Sequence, residues 1–102
     1  MQKASIEAQA FYQKQQSGAD LWLIDVRSAE EFATGHASGA RSMPMSDLTA
    51  QQITDELGTG AGTREPLYLL CTGGFRAQQV ADQLYQQGLP NTVVIEGGTN
   101  AW

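Results

Sequence analysis

The stretch Leu67-Tyr68-Leu69-Leu70-Cys71-Thr72-Gly73-Gly74-Phe75-Arg76 decides the fold, together with Ala77, Val80, Ala81, Leu84 and Tyr85 downstream of it. Residues 67–70 form an unbroken apolar run too short for a helix, so they read as a strand covered on both faces. The two glycines end the run in a loop through Arg76. Apolar residues then recur on one helical face until Gly88 and Pro90 stop the helix. Thr92 to Ile95 is the β-branched strand that follows. Upstream, Leu21 to Val26 is another run apolar on both faces. Ser28-Ala29-Glu30-Glu31 after it matches a capping box for a short helix through Ala33. Ala40 to Met43 reads as a brief strand stopped by Pro44, and Ser46 or Thr49 caps a helix through Ile53 to Leu57. At the N-terminus Ala4, Ala8, Phe11 and Tyr12 fall on one helical face, closed by Ser17 and Gly18. Glu96-Gly97-Gly98 is a turn, after which Thr99 is placed to cap a further helix. Strands alternating with helices imply an α/β fold with parallel pairing, in which ligands sit beyond the carboxyl ends of the strands. Cys71, the segment 25–27 and the segment 96–98 all stand at such ends, so three loops are expected to converge on one cleft.

The 102 residues suffice for a single domain, 1–102, with one modest core. With 41% apolar and 17% charged residues the chain is not of the disordered class. Its longest apolar run, residues 67–71, is far below the ~20 residues that a helical membrane span requires. Six Lys and Arg against eleven Asp and Glu leave a net charge of −5. That balance argues against nucleic acid held by phosphate contacts, while local dipoles still permit a small anion at one spot. The single cysteine rules out an internal disulfide and a multi-cysteine zinc site. A lone thiol fits a reducing compartment, and the cytoplasm is the expected location.

A cysteine between a strand and a helix N-terminus sits among unpaired N–H groups and the positive end of the helix dipole. Two adjacent glycines let the loop curl so that several N–H groups point inward. Surroundings of this kind lower a thiol pKa from about 8.5 to roughly 3.5–7.5, which makes the nucleophilic thiolate the resting form. Arg76 adds a permanent charge and a planar fork suited to oxyanions. The simpler alternative is a small buried apolar side chain, the usual fate of an unpaired cysteine. We favour the reactive reading, because a packing cysteine needs neither a glycine-rich loop nor an arginine behind it. Cys71 is the candidate catalytic residue. Thr72, Gly73, Gly74, Phe75 and Arg76 are the candidate anion-binding group, with Phe75 as a wall.

Leu23-Ile24-Asp25-Val26-Arg27, Glu31-Phe32, Gly35-His36, Gly39-Ala40, Cys71 to Arg76, and Glu96-Gly97-Gly98 with Ala101-Trp102 occur in the order seen in rhodanese domains. From Leu21 to Trp102 the chain resembles that family. The resemblance implies a small parallel sheet flanked by helices on both faces. It also implies a cysteine that carries a persulfide cradled by loop amides, and hence sulfurtransferase activity through Cys71. A small anionic sulfur donor, thiosulfate or a persulfide, and a cyanide or thiol acceptor are the expected partners, and no metal or organic cofactor is required. Cysteine phosphatases and some arsenate reductases share the cysteine-to-arginine bowl, but with His before the cysteine and one residue more in the loop. In this chain Leu70 precedes Cys71 and four residues separate it from Arg76. The smaller bowl suits a sulfane sulfur better than a tetrahedral phosphate. A reading of a different class is a non-catalytic sulfur carrier or interaction module. The chain stops at Trp102, where members of the family continue through a short helix. We therefore expect a cut segment or a module of a longer polypeptide, with a fused or partner domain.

The supporting residues are Asp25 and Arg27. Asp25 is placed either to accept N–H groups of the Cys71 loop or to pair with Arg27, and the two readings weigh about equally. Arg27 is expected mainly in solvent, with some positive potential reaching the cleft. His36, the single histidine, is assigned to a hydrogen bond with backbone near Gly35 and not to base catalysis. Glu96 belongs to the turn or rim, and Trp22 and Trp102 to the core.

Overall fold

Short apolar runs and local caps divide the chain into β1 (Ala4–Glu7), α1 (Ala8–Gln16), β2 (Trp22–Asp25), α2 (Ala29–Thr34), β3 (Arg41–Ser42), α3 (Ala50–Leu57), β4 (Leu67–Leu70), α4 (Phe75–Gln86) and β5 (Thr92–Glu96). The structure, a computed structural model, describes residues 4–18, 21–37, 39–45, 48–72 and 75–96. The five strands make one parallel sheet in the order β1-β5-β4-β2-β3. β4 is central, and all four of its side chains are buried. Its alternation sorts the core into two parts. Leu67 and Leu69 face α3 and α4, packing with Ile53, Leu57, Val80 and Leu84. Tyr68 and Leu70 face α1 on the other side, with Ala8, Phe11, Leu23 and Ile95. The Phe11 and Tyr68 rings meet at 4.7 Å and a 57° tilt, an edge-leaning contact that aromatic pairs favour. The α/β class, the parallel sheet and the helices on both faces are all as expected.

The local signals were sound where they were strictly local. Ser28 Oγ accepts from Glu31 N at 3.2 Å while Glu31 Oε1 accepts from Ser28 N at 3.1 Å, closing the capping box of α2. Thr49 caps α3 by accepting from Gln52 N at 3.1 Å, and Ser46 lies outside the described residues. Gly18 follows α1 with φ +87°, a conformation that costs glycine little.

Three expectations need correction. Ala4 does not continue the first helix: residues 4–7 are a strand that pairs Ser5 with Val94 and Ile6 with Ile95. Helical spacing over so few residues is weak, and the open edge of β5 offers backbone partners that override it. Tyr12 is exposed, so the buried face of α1 is Ala8 and Phe11 alone. α4 begins at Phe75, which places Phe75 and Arg76 in its first turn and not in the loop. Trp22 is half-buried against the α3–α4 side of the core, and its Nε1–H donates to Glu65 Oε1 at 3.0 Å. Gly97, Gly98, Trp102 and the helix expected after Thr99 lie outside the described residues. Among the described residues no helix is long and apolar enough to cross a membrane.

Candidate active site

The two-residue alternation of β4 continues one step past its end, so Cys71 points to the same face as Leu67 and Leu69. Its side chain is 1% exposed and packs in the part of the core that contains Ala77 and Val80. The backbone N–H of Ala77 donates to Cys71 Sγ at 3.3 Å. Ala77 is in the first turn of α4, whose N–H groups have no partner within the helix. The sulfur therefore receives both a hydrogen bond and the positive end of the α4 dipole. Among the described residues the bond found comes from Ala77, one residue past the Thr72 to Arg76 stretch in which donors were expected. Any helix offers its first N–H groups, so starting α4 at Phe75 would have pointed to Ala77 from sequence. Gly73 and Gly74 lie outside the described residues. Phe75, expected as a pocket wall, is 75% exposed and stands in solvent.

Arg76 was expected to hold its fork open to an anion. Its Nη1 donates to Glu31 Oε1 at 2.9 Å and its Nη2 to Glu31 Oε2 at 3.1 Å, a bidentate pair. Nη2 also donates to Thr72 Oγ1 at 3.1 Å. The sequence marks Glu31 as a capping residue and as part of the Glu31-Phe32 motif, and nothing local to it signals a partner 45 residues away. The hydrogen bond from Arg76, followed by that from the Ser28 backbone, holds the Glu31 carboxyl down at about 2, against an ordinary 4.5. Since the folded value is the lower one, the stability this carboxylate contributes is complete above about pH 4.5 and is lost as pH falls from there toward 2. Thermal unfolding of the native chain and of Glu31→Gln should differ near neutral pH and converge at the acid end. A difference that stays constant over that window would show that the pairing is not its source.

Asp25 and Arg27 pair with each other. Asp25 Oδ1 accepts from Arg27 N and Nε at 3.0 Å each, and Oδ2 accepts from Nε at 3.0 Å and Nη2 at 2.8 Å. Nη2 also donates to Gly35 O at 2.8 Å. Asp25 is 0% and Arg27 7% exposed, so the solvated role expected of Arg27 is corrected to a buried one. The hydrogen bonds that Arg27 donates to Asp25 hold the guanidinium charged, raising its pKa against the opposing effect of burial. The consequence is mechanical: Arg27 ties the end of β2 to the residue that closes α2, and α2 carries Glu31. His36 takes the structural role expected, its Nδ1 3.0 Å from Phe32 O and its ring stacked on Phe32 at 3.7 Å. Glu96 ends β5 in solvent, where it accepts from Ser5 Oγ at 2.6 Å.

The chain is similar to known proteins over most of its length. The chain is 35% identical over 96 residues to the Bacillus subtilis protein YqhL, covering 94% of this chain and 67% of that one. It is 32% identical over 94 residues to the thiosulfate sulfurtransferase GlpE of Pseudomonas putida, covering 92% and 78%. The crystal structure of a rhodanese-like domain protein from Staphylococcus aureus superimposes with a TM-score of 0.73 at 30% identity, covering 97% and 90%. Other relatives are longer: the chain spans 33% of a Xanthomonas euvesicatoria tRNA uridine(34) hydroxylase and 49% of the Bacillus subtilis putative sulfur carrier protein YrkF. The pattern of the rhodanese-like domain matches residues 7–102, which takes in every element from α1 to β5 and the cysteine between β4 and α4, and the chain belongs to that family.

Proposed function

We propose that this domain is a sulfurtransferase that moves a sulfane sulfur through a persulfide on Cys71. The observation that carries the reading is the Ala77 N–H directed at Sγ from the N-terminus of α4, at the carboxyl end of the central strand. In the first displacement the Cys71 thiolate bonds to the outer sulfur of the donor, and the donor's sulfur–sulfur bond breaks. With thiosulfate, sulfite leaves with the electron pair. In the second, cyanide or a thiolate bonds to the outer sulfur of the persulfide, and Cys71 departs as thiolate. Negative charge moves between the two sulfurs of Cys71, so fixed N–H groups that need no reorganisation stabilise both displacements. The chemistry calls on no metal or organic cofactor, and a thiol that must return to the reduced form suits a reducing compartment.

Incubation with thiosulfate should add the mass of one sulfur atom to Cys71, and cyanide should remove it as thiocyanate. Failure of Cys71 to gain sulfur from both thiosulfate and an organic persulfide would overturn the proposal. The relative named as a putative sulfur carrier supports a second reading. It is distinguished by sulfur that loads on Cys71 without turnover of either acceptor.

Arg76→Ala is expected to raise KM for thiosulfate about tenfold and KM for a singly charged persulfide about threefold, since Glu31 is then left without its counter-charge. Steady-state kinetics with the two donors measures both. Equal changes would remove Arg76 from anion handling.

A further inference from the structure

We infer that Glu31 is a specificity-determining residue: by occupying the fork of Arg76 it cancels the positive charge beside Cys71, so that the site prefers an organic persulfide to dianionic thiosulfate. The inference rests on the sulfurtransferase reading and names the donor class for that same site. Two arginines and two carboxylates stand at or after the carboxyl ends of β2 and β4, and they are mutually paired. Arg27 is held by Asp25 at 2.8 Å, and Arg76 by Glu31 at 2.9 Å. The members of the two pairs also act on one another, and Arg76 senses Cys71 directly. The side-chain charges of this group sum to zero before the sulfur ionises. A dianion approaching the thiolate therefore gains no net attraction from these four side chains, whereas a persulfide brings at most one charge.

Helix capping does not account for the pairing. The capping box of α2 uses Glu31 Oε1 alone, through Ser28 N and Oγ at 3.1 Å each. Oε2 accepts from Arg76 Nη2, and Nη1 adds a further donor to Oε1. Glutamine at this helix position caps as well as glutamate but carries no charge. With its carboxyl held at about 2, Glu31 is ionised at any physiological pH, so the neutralisation is permanent and not a switch. In the persulfide reaction the Cys71 thiolate bonds to the outer sulfur, the donor's sulfur–sulfur bond breaks, and the organic thiolate leaves with the electron pair.

The test is single-turnover sulfur loading of Cys71, followed by mass, with thiosulfate and with 2-mercaptoethanol persulfide as donors. Glu31→Gln should speed loading from thiosulfate about tenfold and from the persulfide about threefold or less, the ratio expected for a unit charge acting on a dianion and a monoanion. Added salt should erase the gain, because it arises from an exposed charge. Glu31→Gln combined with Arg76→Ala again leaves no net charge at the pair, so the double variant should load thiosulfate at about the native rate. If Glu31→Gln fails to fold, Arg76→Ala supplies the reciprocal measurement, with thiosulfate loading falling more than persulfide loading. Equal changes for the two donors, or a double variant that loads thiosulfate faster than the native chain, would overturn the role of Glu31 while leaving the sulfurtransferase reading intact. A native chain loaded by neither donor would end both.

Discussion

Replacing Cys71 by serine is expected to lower thiosulfate-dependent thiocyanate formation by at least about 10³-fold, because the hydroxyl is a far weaker acid than the thiol and cannot carry sulfane sulfur through the cycle. The chain has one cysteine, so no second thiol can supply a background of sulfur loading. The substitution should leave the fold in place. Serine oxygen accepts a hydrogen bond, and the Ala77 N–H that lies 3.3 Å from the sulfur keeps an acceptor. Exchanging a buried thiol for a hydrogen-bonded hydroxyl costs about 1 kcal/mol, or roughly 4–8 °C in Tm for a domain of this size. Cys71→Ala removes the nucleophile equally well but strands the N–H, at a further cost of about 1–3 kcal/mol. Thiocyanate assays with circular dichroism on both variants separate chemistry from folding. A serine variant that is folded and keeps more than a tenth of the native rate would show that the sulfur of Cys71 is not the carrier.

The largest stability loss is expected at a residue that touches no substrate. Asp25→Ala removes the carboxylate that neutralises Arg27, and Arg27 is 93% enclosed, with 7% exposed. Breaking a buried pair from one side leaves an uncompensated charge, at a cost of about 3–5 kcal/mol. At roughly 4 °C or more per kcal/mol, Tm should fall by at least about 12 °C. The same reasoning makes a second expectation. Removing both charges in Asp25→Ala with Arg27→Met should recover most of the loss, since a buried pair gains little over apolar residues of similar volume. Thermal unfolding of the two variants checks this. A loss under about 1 kcal/mol for Asp25→Ala would mean that Arg27 reaches water when its partner is gone. Recovery in the double variant is expected to be incomplete. Arg27 Nη2 also donates to Gly35 O at 2.8 Å, a bond between β2 and the end of α2 that methionine cannot make.

The contrast between Glu31 and Arg27 shows how far a reading of residues alone extends. The capping box of α2 was legible because its partners lie three residues apart and the geometry is that of any helix start. β2 and β4 were legible because apolar residues on both faces of a short run leave a covered strand as the sensible reading. β1 was missed, since what makes it a strand is an edge of β5 contributed from about 90 residues later, as the Ser5–Glu96 contact shows. Arg27 was misplaced in solvent because surface is the usual place for arginine. Only the fold around Asp25 and Gly35 makes burial tolerable there.

By itself, the order of residues determined the α/β class, the family and the placing of a lone thiol between a strand and a helix. Those follow from periodicity and turn chemistry, which act over a few neighbouring residues. Tertiary structure decided between the two readings of Asp25 in favour of Arg27, and it alone brought Glu31 to Arg76. Hydrogen bonds and charge neutralisation depend on separation in space, and the sheet brings together side chains that the chain keeps 45 residues apart.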